Sequence, residues 1–177
     1  TYAAGFRKTI FKQFGGFSTS FREASGEDTD FSFRIAKEGH KMIFVPTAIV
    51  YHQHPNTLKK YFKRKFKTAY WRVLLYRQHP GKMMKDSHTP QTLKLQILLF
   101  YVMLLGLLGL AFSGGALGLG IPFGLFFLTT IPFVVRAAWK DPIAGVFSMP
   151  LLFFRASAFS FGLMKGIWGY LFLPKRR

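Results

Sequence analysis

The chain has 177 residues, with 25 Lys and Arg against seven Asp and Glu, a formal net charge of +18, half of its residues hydrophobic and 22 of them Phe. This balance excludes both a disordered polymer and an ordinary soluble domain. The absence of Cys excludes a disulfide framework and any thiolate metal site, and fits a cytoplasmic soluble part.

The chain opens on Thr1 with no signal-peptide pattern, so its start is read as a cut through a longer protein. Residues 9–14 predict a short helix closed by Gly15-Gly16, where at least one glycine takes positive φ, with Phe17 and Phe21 packed beneath the loop that follows. Residues 28–38 predict a second helix. Phe31 and Ile35 share one face of it, Asp30 pairs with Arg34 at i,i+4, and Gly39 ends it. Residues 42–45 and 48–51 predict short strands separated by Pro46. Strand and helix in this alternation belong to an α/β layer architecture, and the expected fold is an α/β remnant followed by an α-helical membrane region. His52 and His54 alternate at the end of the second strand, so only one of them faces a cleft. His40, His79 and His88 show no partner spacing and receive no role.

Residues 57–77 carry Leu58, Tyr61, Phe62, Phe66, Ala69, Tyr70, Val73 and Leu74 at amphipathic-helix spacing, with Lys59, Lys60, Lys63, Arg64, Lys67 and Arg72 opposite. Ten basic residues and no acid lie between Lys59 and Lys85. Such a helix suits the surface of an anionic membrane, with lipid rather than nucleic acid as its partner. Residues 95–112 and 116–135 hold no charge, and Gly114-Gly115 lies between them. Two runs of about 18–20 apolar residues read as a transmembrane hairpin. The third apolar segment, 143–173, contains Pro150, Arg155 and Lys165 and precedes the basic tail Lys175-Arg176-Arg177. Keeping that tail on the same side as the other basic segments favours an interfacial or re-entrant helix over a span, with Arg155 and Lys165 snorkelling to the headgroups. Gly120-x-x-x-Gly124 and Gly162-x-x-x-Gly166 permit close helix contact, read as packing within this bundle. The chain therefore divides into 1–56, a partial catalytic domain, 57–93, a basic interfacial helix and linker, 94–135, the hairpin, and 136–177, the third apolar segment with its tail.

Three of the seven acids, Glu27, Asp28 and Asp30, fall within four positions of a basic protein. Acids there either cap a basic helix or serve chemistry, since a carboxylate in a first turn is favoured by the helix dipole. The series Gly15-Gly16-Phe17, Glu27-Asp28 and Pro46-x-x-x-x-x-His52 resembles the C-terminal half of the catalytic domain of membrane-associated family 2 glycosyltransferases, over about residues 3–75. The resemblance implies a glycosyltransferase A fold, truncated here before its nucleotide-binding half. It also implies an inverting transfer from a nucleotide-sugar donor to a lipid-linked or glycan acceptor, in cell-envelope polysaccharide synthesis. Asp28 is then the base that takes the acceptor's proton, with Glu27 as second choice or positioning partner. His52 matches a ligand of a divalent cation, Mn²⁺ or Mg²⁺. The Q-x-x-R-W motif of processive members finds only Tyr61-Phe62-Lys63-Arg64-Lys65, which keeps the Arg. Arg64 is therefore a candidate acceptor or diphosphate contact, and the expectation is single-sugar transfer. No D-x-D precedes Gly5, and Asp28-Thr29-Asp30 has those letters inside the acidic helix, so this chain alone is expected to be inactive. The expected location is the cell membrane, multi-pass, with the catalytic part cytoplasmic. The alternative is a non-enzymatic membrane-anchored protein with a basic lipid-binding domain.

Overall fold

The computed structural model describes residues 3–84, 89–113 and 117–172. Helix α1 is Lys8–Gln13, α2 is Glu27–Lys37 and α3 is Leu58–Gln78, which a short 3₁₀ turn at Pro80–Lys82 follows. Three long apolar helices complete the chain: α4 (Gln91–Ser113), α5 (Leu117–Lys140) and α6 (Pro142–Phe172). Within them, Gln91–Gly109, Leu119–Lys140 and Pro142–Leu171 are each long and apolar enough to cross a membrane. The Gly114-Gly115 turn, the basic tail and His88 lie outside the described residues.

The expected α/β remnant is not formed, because the described residues contain no strand. Residues 42–45 and 48–51 are irregular, and their β-branched and aromatic side chains stand in solvent, with Ile43 87%, Phe44 88% and Tyr51 99% exposed. Propensity for the extended state does not make a strand by itself. A strand needs a neighbouring edge for its N–H and C=O groups and an apolar face to cover, and no described segment offers either.

The amino-terminal part is organised around aromatic rings and one buried carboxylate. Both Gly15 and Gly16 take φ of 69°, turning the chain so that Phe17 returns to Phe11 and Phe31. Phe6, Phe11 and Phe17 pack on the fully buried Phe31 with ring centroids 4.9, 5.2 and 5.6 Å away. Phe21 goes elsewhere, to Phe33, Trp71, Leu74 and Leu75, which joins α2 to α3. The expected Asp30–Arg34 pair is present at 2.9 Å and is part of a larger junction. Arg34 Nη1 and Nη2 donate to the carbonyls of Phe14 and Gly16, each at 2.6 Å, so the guanidinium clamps the glycine turn. The second oxygen of Asp30 meets His79 Nε2 at 2.8 Å, at the end of α3. A carboxylate offers only acceptors, so that nitrogen carries the hydrogen. Asp30 is 3% exposed.

Helix α3 also packs along α6. Phe62 meets Phe154 with centroids 5.1 Å apart, Phe66 and Ala69 abut Gly162, Tyr70 and Val73 abut Gly166, and the Arg77 guanidinium lies 3.9 Å over the Tyr170 ring. The two helices thus run side by side in the same direction for about four turns. A Cβ on Gly162 would fall inside contact distance of the Phe66 carbonyl oxygen, and one on Gly166 would lie 2.8 Å from that of Tyr70. Gly162-x-x-x-Gly166 is therefore the seam against α3, whereas a Cβ on Gly120 or Gly124 meets nothing within 4 Å. Helix α6 is unbroken by Pro150, and its earlier half packs on α4 and α5 around Phe100, Phe126 and Phe153. Arg155 does not reach outward as expected; its Nη2 donates to Gln96 Oε1 of α4 at 3.2 Å, and Gln96 is 1% exposed.

Four substitutions test these junctions by thermal unfolding in detergent. Gly162→Ala should push α3 from α6 and cost about 1–3 kcal/mol, whereas Gly124→Ala should be neutral or gain up to about 1 kcal/mol in helix propensity. Equal effects would mean that the seam is not close. Asp30→Ala strands the Arg34 and His79 donors and should cost roughly 2–3 kcal/mol. Asp30→Asn keeps one acceptor and should fall between that variant and the parent.

Candidate active-site cleft

Asp28 reaches the site through the geometry of the α2 start. Gly26, at φ 147°, precedes the helix in a backbone conformation that suits glycine, close against the Phe21 ring. Glu27 then folds back, its Oε2 accepting the N–H groups of Ser25 at 2.7 Å and Gly26 at 3.0 Å. Glu27 thus fixes the loop ahead of α2. Asp28 Oδ1 accepts Thr29 N–H at 2.7 Å, which orients the carboxylate in the first turn.

The Asp28 side of α2 and the basic face of α3 enclose a cleft of about 550 Å³, a volume typical of small-molecule sites. One wall is Ala24 to Gly26 with Asp28 and Thr29, and the other carries Lys60, Lys63, Arg64, Lys65, Lys67 and Arg72. Asp28 and Arg64, chosen from sequence on separate grounds, therefore share one site. Six cations around one lining carboxylate focus a positive field that attracts an anion of charge two or more. Lys67 also pairs with Glu23 at 2.7 Å, tying α3 to the loop before α2 and holding the Glu23 carboxyl below the usual carboxylate range. Burial, followed by the charges of Arg155, Arg64 and Arg72, holds the Lys65 ammonium below the usual lysine range.

A second hollow of about 470 Å³ lies along Gly15, Gly16, Asp30, Arg34 and His79. Its polar groups serve the clamp described above. His79 had no sequence signal, because its partner Asp30 lies 49 residues earlier.

His52 lies away from the cleft on the irregular segment, exposed, with its ring centroid 5.5 Å from that of His54. Among the described residues no group of three His, Asp or Glu side chains comes together. These residues by themselves therefore do not make a divalent-metal centre, since such an ion takes several ligands.

No curated protein and no solved structure matches the chain. The model of the family described as Glycosyl transferase family group 2 matches residues 2–157, from ahead of the glycine turn to the middle of α6. The acidic helix, the basic cleft and most of the apolar bundle lie within that match, and the chain belongs to this glycosyltransferase family.

Proposed function

We propose that the chain forms the acceptor-side and membrane half of an inverting glycosyltransferase. It works from a nucleotide-sugar donor on a lipid-linked or glycan acceptor, with its catalytic face on the cytoplasmic side of the cell membrane. The observation that carries this reading is the position of Asp28 in a cleft walled by six cations. Asp28 takes the proton of the acceptor hydroxyl as that oxygen attacks the anomeric carbon. The sugar–phosphate bond breaks on the opposite face, and the electron pair leaves with the nucleotide diphosphate. The Lys and Arg side chains of α3, Arg64 among them, neutralise the charge that develops there. Only the Arg of the processive motif is kept, which fits transfer of one sugar at a time.

The runner-up reading makes α3 a lipid-docking helix without catalysis. Lys60, Lys63 and Lys67 line the cleft beside Asp28 rather than forming a face of their own, so anionic lipid is left with Lys59 and the exposed outer turns. The same cations serve the ligand's phosphates before those of the leaflet.

Asp28→Asn in the intact enzyme should cut turnover by about 10²–10⁴-fold, the usual worth of a positioned base, with donor affinity retained. Transfer of labelled sugar in membranes measures this, and near-normal turnover returns Asp28 to a capping role. Within the same proposal His52 supplies a single ligand to a divalent ion. His52→Ala should then raise the Mn²⁺ or Mg²⁺ concentration at half-maximal activity, and His54→Ala should leave it unchanged. Identical behaviour of the two variants removes metal binding from this segment.

A further inference from the structure

We propose that the junction of α3, α4 and α6, built on Arg155 with Gln96, Tyr61 and Lys65, binds the phosphate of a lipid-borne ligand. The apolar tail of that ligand would run along α6 past Leu151 and Phe147. Arg155 lies in the middle of a 31-residue apolar helix. A cation at such a place is costly without an anionic partner, and marks a functional site. Of the five N–H donors of a guanidinium, Nη2 reaches Gln96 Oε1 at 3.2 Å, and Nε is buried without a hydrogen-bond partner. None of the described ion pairs involves Arg155.

The surroundings are built to hold this cation. Gln96 Nε2 donates to Thr129 Oγ1 at 3.1 Å, and that hydroxyl donates to the Phe126 carbonyl at 2.6 Å. The amide orientation is thereby set, with the Gln96 carbonyl facing Arg155. On the α3 side, the Phe62–Phe154 ring contact holds the neighbouring turn in place. Tyr61 and Lys65 flank it, half-buried, and Lys65 also lines the Asp28 cleft. Positive charge therefore continues from the cleft into the apolar bundle with Lys65 as the link.

A free phosphate and a lipid phosphate share the chemistry that Arg155 recognises. The apolar setting favours the lipid. Leu151 and Phe147 lie one and two turns before Arg155 on the same face of α6 and are exposed, Phe147 by 65%. They offer an apolar track for a chain whose head is held at Arg155. The inference deepens the glycosyl-transfer reading, and rests on it in placing the phosphate end of an acceptor beside the Asp28 cleft.

The test uses the full chain in neutral detergent with three probes: geranylgeranyl monophosphate, geranylgeraniol and inorganic pyrophosphate. The parent should bind the prenyl phosphate more tightly than the alcohol. Arg155→Gln should weaken prenyl phosphate binding by about 10- to 100-fold, the worth of a charge-assisted hydrogen-bonded contact. It should leave the alcohol and pyrophosphate unchanged, and Arg155→Lys should recover part of the loss. Unchanged prenyl phosphate affinity in Arg155→Gln overturns the proposal. So does an equal loss of pyrophosphate affinity, which would make this a free-phosphate site. If Arg155→Gln does not fold, Gln96→Leu removes the group that orients Arg155. That variant should lose prenyl phosphate affinity several-fold, and no loss overturns the proposal. Asp28→Asn should bind the prenyl phosphate like the parent, so failure of the transfer reading and failure of this site are separable.

Discussion

Helix α3 is held against α6 at a distance that only glycine permits, and the rest of the molecule depends on that seam. Gly162 and Gly166 let the backbone of α3 approach α6 directly, so dispersion contacts accumulate along about four turns. The other flank of α3 receives Phe21 and Phe33 through Leu75, which is 2% exposed. One helix is thus a shared wall, with the membrane bundle on one side and the acidic helix on the other. Six of the basic side chains of α3 line the cleft between it and the start of α2.

Acidic side chains are scarce in this chain, and four of them around α2 carry separate tasks. Asp30 is buried and divides its oxygens between Arg34 and His79, joining the glycine turn, α2 and the end of α3. Glu27 turns back onto two backbone N–H groups and fixes the loop. Glu23 ties that loop to Lys67. Asp28 is the carboxylate placed in the cleft among the cations. The other three acids fix the loop, the glycine turn and the end of α3, and so hold the helix start that carries Asp28.

The membrane helices carry an internal polar line of the same logic. Arg155, Gln96 and Thr129 connect α6, α4 and α5 through hydrogen bonds that an apolar surrounding strengthens. Tyr101 adds a bond from its hydroxyl to the Ser160 carbonyl at 2.7 Å, again between α4 and α6. The bundle is therefore specified by polar contacts as well as by the Phe100, Phe126 and Phe153 cluster.

The sequence by itself determined what depends on neighbours along the chain. Helix spans followed from apolar spacing, the glycine turn from its two adjacent glycines, the Asp30–Arg34 pair from i,i+4 geometry, and two membrane-length segments from uninterrupted apolar runs. The third, interrupted by Pro150, Arg155 and Lys165, read as interfacial or re-entrant, and the structure makes it one helix of spanning length. The acidic cluster and Arg64 were also legible, because acids are rare here and the Arg keeps one letter of a longer motif. Only the tertiary structure decided the matters that join distant positions. It brought His79 to Asp30, Arg155 to Gln96, and the lysines of α3 to Asp28. It also left residues 42–51 irregular, because local β propensity cannot supply the neighbouring strand that a ladder requires. The amphipathic pattern of α3 named its apolar residues without dividing them between α6 and the acidic helix. A periodicity reports which side chains leave water, and only packing settles which partner receives them.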